Sequence, residues 1–127
     1  MQEKQLFEYA VIRIVPRVER EEFLNVGVGL YASKPGFLQV IFELNEERLR
    51  AFSGTTDIKE VEEYLLAFER ICRGDPGGGP IARLDMASRF RSLTAARSTV
   101  VQTSKVHPGF CTDPQEALEK LFKQLVL

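Results

Sequence analysis

The amino-acid sequence predicts an α+β fold, in which a small antiparallel sheet is packed on one face by about three to four helices. Alternating runs rich in β-branched residues fill residues 7–44, and apolar residues at helical spacing dominate most of the remainder. No connection between the first three runs is long enough for a crossover helix, so a three-stranded meander is expected, with one later strand beside it. The length of 127 residues predicts a single domain over residues 1–127.

Three strands are predicted at the start of the chain. The run over residues 7–15 ends at Pro16, which lacks the amide that a continuing ladder needs. Residues 23–32 and 37–44 follow, joined by a turn at residues 33–36 with the sequence Ser-Lys-Pro-Gly. Period-two alternation places the apolar residues of the second strand on one face: Leu24, Val26, Val28, Leu30 and Ala32.

Helices are predicted after the meander. Asn45 can cap a short helix ending at Phe52, and Asp57 can cap a longer helix that runs to Gly74. Pro80 is expected to open a third helix, residues 98–103 a short strand, and residues 104–114 a loop. Asp113, followed by Pro114, predicts the cap of a final helix.

Composition excludes several classes of protein. Hydrophobic residues make up 44% and charged residues 28%, which excludes global disorder, and the net charge of -1 excludes bulk attraction to nucleic acid or an anionic membrane. Cys72 and Cys111 are too few for a disulfide scaffold, and no apolar stretch is long enough to span a membrane. The polar first residues do not look like a signal peptide, so a cytoplasmic protein is expected. His107 is the only histidine and no ligand spacing is present, so neither a metal nor a cofactor is predicted.

The predicted sheet has a second, more polar face. Pleating would place Asn25, Gly27 and Gly29 there beside Gln39 and Glu43, and Arg13 would join them. Two glycines leave a trough, and the arginine and amide beside it suit a carboxylate or a phosphate. A solvated face with bulge glycines, or a homodimer formed through the trough, are the alternatives.

Two further segments could add to this site. Residues 97–104 are dense in hydrogen-bonding side chains and would form a polar wall beside His107, the alternative being an edge strand. Arg17 and Arg20 lie near the end of the first strand and could form a small arginine cluster, although mixed charge usually marks a solvated surface.

Two other functions stay open. His107 could serve as general acid or base in a small hydrolase or phosphoryl-transfer enzyme, with Arg13 and Arg97 stabilising negative charge or Cys111 as nucleophile. Nucleic acid could bind the arginines of the third helix and its exit, although the thin aromatic interleaving and the near-zero net charge disfavour it. Those arginines are Arg83, Arg89, Arg91 and Arg97.

Three blocks of the chain resemble the bacterial family called domain of unknown function 3037. They cover residues 9–16, residues 20–28, and residues 97–104 together with His107 and Asp113-Pro114. Members often read R-G-E-F-x-N-x-G in the second block, where Glu21 here replaces the glycine. The resemblance implies no activity, and it implies a HipA-like kinase-fold protein as a partner. The positions that match the family pattern are Arg13, Arg20, Glu22, Asn25, Gly27, Arg97, Gln102, Thr103 and His107.

Together these observations predict a non-enzymatic accessory or binding module that holds a protein partner or a small anion on a polar sheet face. The residues expected to bind the ligand are Arg13, Arg20, Asn25, Gly27, Arg97, Gln102, Thr103 and His107.

Overall fold

A computed structural model describes residues 3–97 and 99–127 as an antiparallel sheet of five strands with four α-helices. The strands are β1 (Gln5–Ile14), β2 (Leu24–Ala32), β3 (Phe37–Phe42), β4 (Val101–Thr103) and β5 (His107–Cys111). The helices are α1 (Glu46–Phe52), α2 (Ile58–Arg73), α3 (Met86–Leu93) and α4 (Pro114–Leu125). The α+β class predicted from the sequence is confirmed.

The strand order places β1 near the centre of the sheet. The order is β3-β2-β1-β4, and β5 pairs with β1 as well, so β4 and β5 lie end to end along one side of β1. Ser104 links the two short strands: its N–H donates to Val11 O over 2.8 Å, and Val11 N–H donates to Ser104 Oγ over 2.8 Å. The hydroxyl therefore fills a gap in the ladder that would otherwise leave a buried amide without a partner.

Helices cover both faces of the sheet, although the sequence predicted one covered face. On one face α1, α2 and α3 enclose a core that includes Ile12, Leu49 and Leu65. On the other face α4 packs Leu118 against Val28 and Leu30. A sheet covered on both faces has apolar residues at successive positions of a strand, so alternation alone does not reveal the second layer.

A β-bulge in β2 changes which residues share a face. The register between β1 and β2 shifts between Ile12 and Arg13, and Val26 is the extra residue between Asn25 and Gly27. Val26 therefore packs in the core beneath α2, whereas Val28 and Leu30 pack under α4. The prediction that one face of β2 carries all five alternating apolar residues is wrong because of this bulge.

The predicted helix caps are confirmed. Asn45 Oδ1 accepts from Arg48 N–H over 3.0 Å at the start of α1, and Asp57 Oδ1 accepts from Lys59 N–H over 3.0 Å at the start of α2. Asp113 Oδ1 accepts from Gln115 N–H over 3.0 Å, with Pro114 at the first position of α4. Side-chain oxygens at these positions satisfy amides that have no partner inside the helix.

Two segments differ from the prediction. Residues 107–111 form β5 rather than a loop, because β1 offers them an unpaired edge and Pro108 is tolerated on an outer strand. The third helix begins after Asp85, not at Pro80, and Pro80–Arg83 is a short 3₁₀ turn. Asp85 ends that turn because its carboxylate accepts from Ser88 N–H over 3.1 Å and caps α3.

No helix within the described residues has the length and apolar character needed to cross a membrane.

Candidate functional site

Four of the predicted site residues share the sheet face that α4 covers. In the antiparallel registers Arg13 lies opposite Asn25 on β2 and opposite Gln102 on β4, and His107 lies opposite Tyr9. Residues directly opposite each other point to the same side of a sheet. We call this set the Arg13 strip; its members are Tyr9, Arg13, Asn25, Gln102 and His107.

Arg13 is a half-buried cation without a carboxylate partner in the described part of the chain. Its Cζ lies 4.0 Å from the centroid of the Phe23 ring, an arrangement that stabilises the cation through the face of the ring. Its Nε is buried and has no hydrogen-bond partner among the described atoms. Burial lowers the pKa of the guanidinium, yet an arginine stays charged at neutral pH, so the strip keeps an uncompensated positive charge.

Asn25 joins the strip to the end of α4. Its Nδ2 donates to Leu125 O over 3.1 Å, which satisfies one of the free carbonyls at the helix end. Its Oδ1 is buried and accepts no hydrogen bond from any described residue. An unsatisfied donor on Arg13 and an unsatisfied acceptor on Asn25 therefore lie on neighbouring strands, although buried polar atoms are normally paired.

Gln102 closes the strip on the side of β4. Its Nε2 donates to Thr99 O over 2.9 Å, and Thr99 Oγ1 donates to Val101 O over 2.8 Å. These bonds order the segment that leads into β4. The amide oxygen of Gln102 is the part of this side chain that can still meet a ligand.

His107 lies at the other end of the strip, where it is exposed and packs against Tyr9, with the ring centroids 5.4 Å apart and the ring planes tilted by 35°. Cys111 is four residues further along β5, which separates the two Cα atoms by about 13 Å in a strand. Burial raises the pKa of the Cys111 thiol, the opposite of what a nucleophile needs. The structure therefore does not bring His107 and Cys111 together as a base and a nucleophile.

The glycines are not part of an open trough, so this part of the sequence prediction is wrong. Gly27 lies opposite Ile12 and Phe42, on the face beneath α2 and α3, and both Gly27 and Gly29 are buried. A Cβ on Gly27 would lie 2.7 Å from Ile41 O, so the absence of a side chain lets β3 approach. The space that glycine leaves is filled by protein.

Two further predicted residues lie on this same α2 and α3 face. Thr103 is opposite Ile12, and the Cζ of Arg97 lies 5.2 Å from the centroid of the Phe68 ring. Arg97 Nη2 also donates to Ser92 O near the end of α3. Arg97 thus packs against α2 and α3. The hypothesis of an enzyme that uses both arginines requires Arg97 and Arg13 to lie together, and they do not.

Arg20 lies in the loop between β1 and β2, in an ion pair with Glu22. With Arg17, Ser53 and Thr55 it lines an open depression of about 250 Å³ between this loop and the end of α1. Glu21, which stands where the family pattern has glycine, has a φ of 56°, the only positive φ of a non-glycine residue in the described chain. The tight turn is therefore kept, but by a residue that is strained there.

The four arginines considered for nucleic acid do not form one surface. Arg89 and Arg91 are two residues apart on α3, so they point about 200° apart around the helix axis. Arg83 is exposed on the 3₁₀ turn, and Arg97 is stacked on Phe68. No continuous basic stripe arises from them.

The sequence did not identify two residues of this region, Tyr9 in the Arg13 strip and Phe23 beside Arg13. Phe23, 48% exposed, carries the guanidinium of Arg13, and Tyr9 carries the ring of His107. Phe23 and Asn25 are two residues apart in a predicted strand, so alternation places them on one face. This spacing could have indicated that Phe23 belongs beside the site. Tyr9 gave none, because residues 104–114 were expected to be a loop with no strand partner.

Within residues 3–97 and 99–127, no group of three or more His, Cys, Asp or Glu side chains is placed to hold a metal ion.

The comparison with protein families identifies the chain. Residues 9–126 match the model of a family described as protein of unknown function (DUF3037), and the chain belongs to that family. No curated protein matches the chain, and no solved structure does either.

Proposed function

We propose that this DUF3037 protein is a non-enzymatic binding module that holds an oxyanion, a carboxylate or a phosphate carried by a partner, on the Arg13 strip. One observation carries the proposal: Arg13, which faces Asn25 across two strands, has no carboxylate partner among the described residues, and its buried Nε has no hydrogen bond. A buried donor that the protein leaves open is a cost to folding that the oxygen of a bound anion can offset.

The chemistry of the strip favours an anion. Arginine presents a planar fork of donors that matches the two oxygens of a carboxylate or phosphate. No acidic residue in the described chain lies within ion-pair distance of Arg13, so its charge is not already neutralised. The Phe23 ring lies against one side of the guanidinium, with Arg13 Cζ 4.0 Å from the ring centroid.

The remaining parts of the strip support recognition rather than catalysis. His107 pairs with Tyr9, which lies four residues before Arg13 on β1. His107 and Arg13 are therefore about 13 Å apart along the strand, too far to act on one reacting bond. Tyr9 and His107 instead offer two adjoining rings, tilted by 35° to each other, that a partner could contact. A cytoplasmic location and a kinase-fold partner, both expected from the sequence, remain predictions.

The proposal is tested by titrating ¹⁵N-labelled protein with sodium phosphate and, separately, with sodium acetate at constant ionic strength. We expect saturable shifts of the Arg13 Nε–H and Asn25 Nδ2 resonances with a Kd of about 1 mM, typical of one charged contact near a surface. The anion with the lower Kd identifies the class of oxyanion that the site prefers.

Three variants make the titration specific. Arg13→Met should abolish saturable shifts, and Arg13→Lys should weaken binding about fivefold because it keeps the charge but loses the fork. Arg91→Gln, an exposed arginine on α3, is the matched control and should bind as the wild type does. Equal binding by Arg13→Met and the wild type would refute the proposed site.

A further inference from the structure

The outer edge of β3 has no strand beside it in the described chain, because β3 is the end of the sheet order. Glu43 N–H donates to Val26 O over 2.8 Å, and the register continues as Phe42 opposite Gly27 and Ile41 opposite Val28. Hydrogen-bonded and non-bonded pairs alternate in an antiparallel ladder. The backbone N–H and C=O groups of Phe42, Val40 and Leu38 therefore point away from β2, to the open edge.

This edge lacks the features that usually prevent strand pairing. The sequence of β3 is FLQVIF, with no charge, no proline and no glycine, and the only register irregularity in the meander is in the pairing of β1 with β2. Soluble proteins normally protect an edge of this length with lysine, proline or a bulge. An uncharged, unprotected edge is the kind of surface that accepts a strand from another chain.

A groove runs along this edge, between β3 and the helices above it. It has a volume of about 430 Å³ and is lined by residues 36–40 on one side and by α2 and α3 on the other. The helix residues that line it are Glu69, Cys72, Arg73, Met86 and Arg89. A strand added to β3 would direct alternate side chains into this groove.

The groove carries an excess of positive charge. Arg73 Nη2 lies 3.4 Å from Glu69 Oε1, and Glu69 provides the only carboxylate among the described residues that line the groove. Arg89 has no carboxylate within ion-pair distance among the described residues, and its Nε is buried without a hydrogen bond. Cys72 contributes no negative charge, because burial raises the pKa of its thiol to about 12.

We propose that the edge of β3 and its groove bind an extended acidic segment of a partner protein, which adds to the sheet as a sixth strand and places a carboxylate between Arg73 and Arg89. The open backbone groups supply the affinity and the two arginines select acidic side chains. This surface is on the opposite face and at the opposite edge of the sheet from the strip of Arg13 and Gln102, so the two proposals stand independently.

The test uses two fluorescein-labelled peptides of about eight residues, a usual strand length, one alternating Val with Glu and the other alternating Val with Lys. Fluorescence anisotropy measures their binding to the full chain. We expect the Val/Glu peptide to bind at least about tenfold more tightly than the Val/Lys peptide. A peptide that slips by one residue turns its other face to the groove, so either register can present glutamate.

Val40→Pro removes one outward N–H and leaves the bonds between β2 and β3 in place, so we expect it to abolish binding of the Val/Glu peptide. Val40→Ala is the matched control, because it removes the side chain and keeps the N–H; it should bind within about threefold of the wild type. Far-UV circular dichroism checks that both variants fold.

Arg73→Glu provides a second test that does not depend on proline, since Arg73 is exposed and its replacement leaves the core intact. It should reverse the preference between the two peptides. Unchanged preference in Arg73→Glu, equal binding by Val40→Pro and Val40→Ala, or absence of binding by the wild type would each overturn the proposal. Sedimentation that shows a dimer of the free protein, lost in Val40→Pro alone, would overturn it in favour of a second copy on this edge.

Discussion

Gly27 and Gly29 differ in how closely β3 approaches them. A Cβ at Gly27 would lie 2.7 Å from Ile41 O and 2.9 Å from Phe42 Cβ, whereas a Cβ at Gly29 would meet only Val40 Cγ2, at 3.4 Å. The first contact involves backbone and cannot be relieved by a rotamer change. The second lies at the limit of ordinary van der Waals contact.

We therefore expect Gly27→Ala to lower the free energy of unfolding by about 1–3 kcal/mol, the usual cost of inserting an atom into a packed site. Gly29→Ala, the matched control two residues away on the same face, should change it by less than about 1 kcal/mol. Urea unfolding followed by circular dichroism measures both. Equal losses would mean that β3 does not lie against Gly27 as described.

Glu21 offers a stabilising change. Its φ of 56° is costly for a residue with a Cβ, so Glu21→Gly should raise the free energy of unfolding by up to about 1 kcal/mol. Glu19→Gly, in the 3₁₀ turn of the same loop, removes no positive φ and should lower stability. Thermal unfolding of the two variants side by side tests whether the turn requires a left-handed residue at position 21.

Ionisation of Cys72 is expected to lower the free energy of unfolding as the pH rises above the neutral range. Burial raises the pKa of its thiol to about 12, so the folded state holds this proton at a pH where the unfolded chain, near 8.5, has lost it. The contribution is complete below that unfolded value and is lost as the pH rises toward the folded one, by up to about 1.4 kcal/mol per pH unit. Cys72→Val should show a smaller fall in unfolding free energy between about pH 8 and about pH 10, and an identical fall in both proteins would contradict this.

At the scale of elements, Gly74 at the end of α2 meets two requirements, a left-handed backbone conformation and the absence of a side chain. Gly74 has a φ of 68°, and its N–H donates to Ile71 O over 3.1 Å. A Cβ there would also overlap Arg89 Nη1 on α3. A methyl group at the end of α2 would therefore displace the guanidinium of Arg89 on α3.

Gly74→Ala and Gly36→Ala separate these two requirements. Gly36 has a similar φ of 67° but nothing lies within 4 Å of its added Cβ, so its substitution reports backbone strain alone, about 1 kcal/mol. Gly74→Ala should cost more, by the energy needed to displace Arg89, and chemical denaturation measures the difference. If Arg89 moves freely, the two variants will be equally destabilised.

At the scale of the whole molecule, one sheet separates two cores. The second core depends on α4, whose Leu118 is fully buried against β2. Asn25 and Arg48 hold the end of that helix, through Leu125 O at 3.1 Å and Val126 O at 2.8 Å. The face that carries the Arg13 strip is thus formed jointly by the sheet and by the last helix.

Leu118→Ala should lower the free energy of unfolding by about 2–5 kcal/mol, the range for a buried leucine that leaves a cavity. Leu66→Ala on α2 is the control: Leu66 is 45% exposed, and its loss should cost less than about 0.5 kcal/mol. Calorimetry of both proteins decides the matter, and a small effect of Leu118→Ala would mean that α4 is not part of the core.

The sequence allowed the α+β class, the meander and all four helices to be predicted, with only the start of the third misplaced at Pro80, because capping residues and apolar periodicity are local signals. The faces were not predictable in the same way. The bulge at Val26 and the second layer under α4 depend on the packing of distant segments, and they separate Asn25 from Gly27. The polar residues of the Arg13 strip were identified, but which of them share a face was decided by register.

The pairing of β1 with β4 and β5 forms late during synthesis of the chain. The hydrogen bond between Val11 and Ser104 spans 93 positions, so on a ribosome that adds roughly 5–20 residues per second the partner strands appear about 5–20 s after β1. During that interval the apolar edge of β1 is open to other chains. Synthesis of this protein therefore passes through a vulnerable period of seconds, which shortens as translation quickens and ends when residues 101–111 reach the sheet.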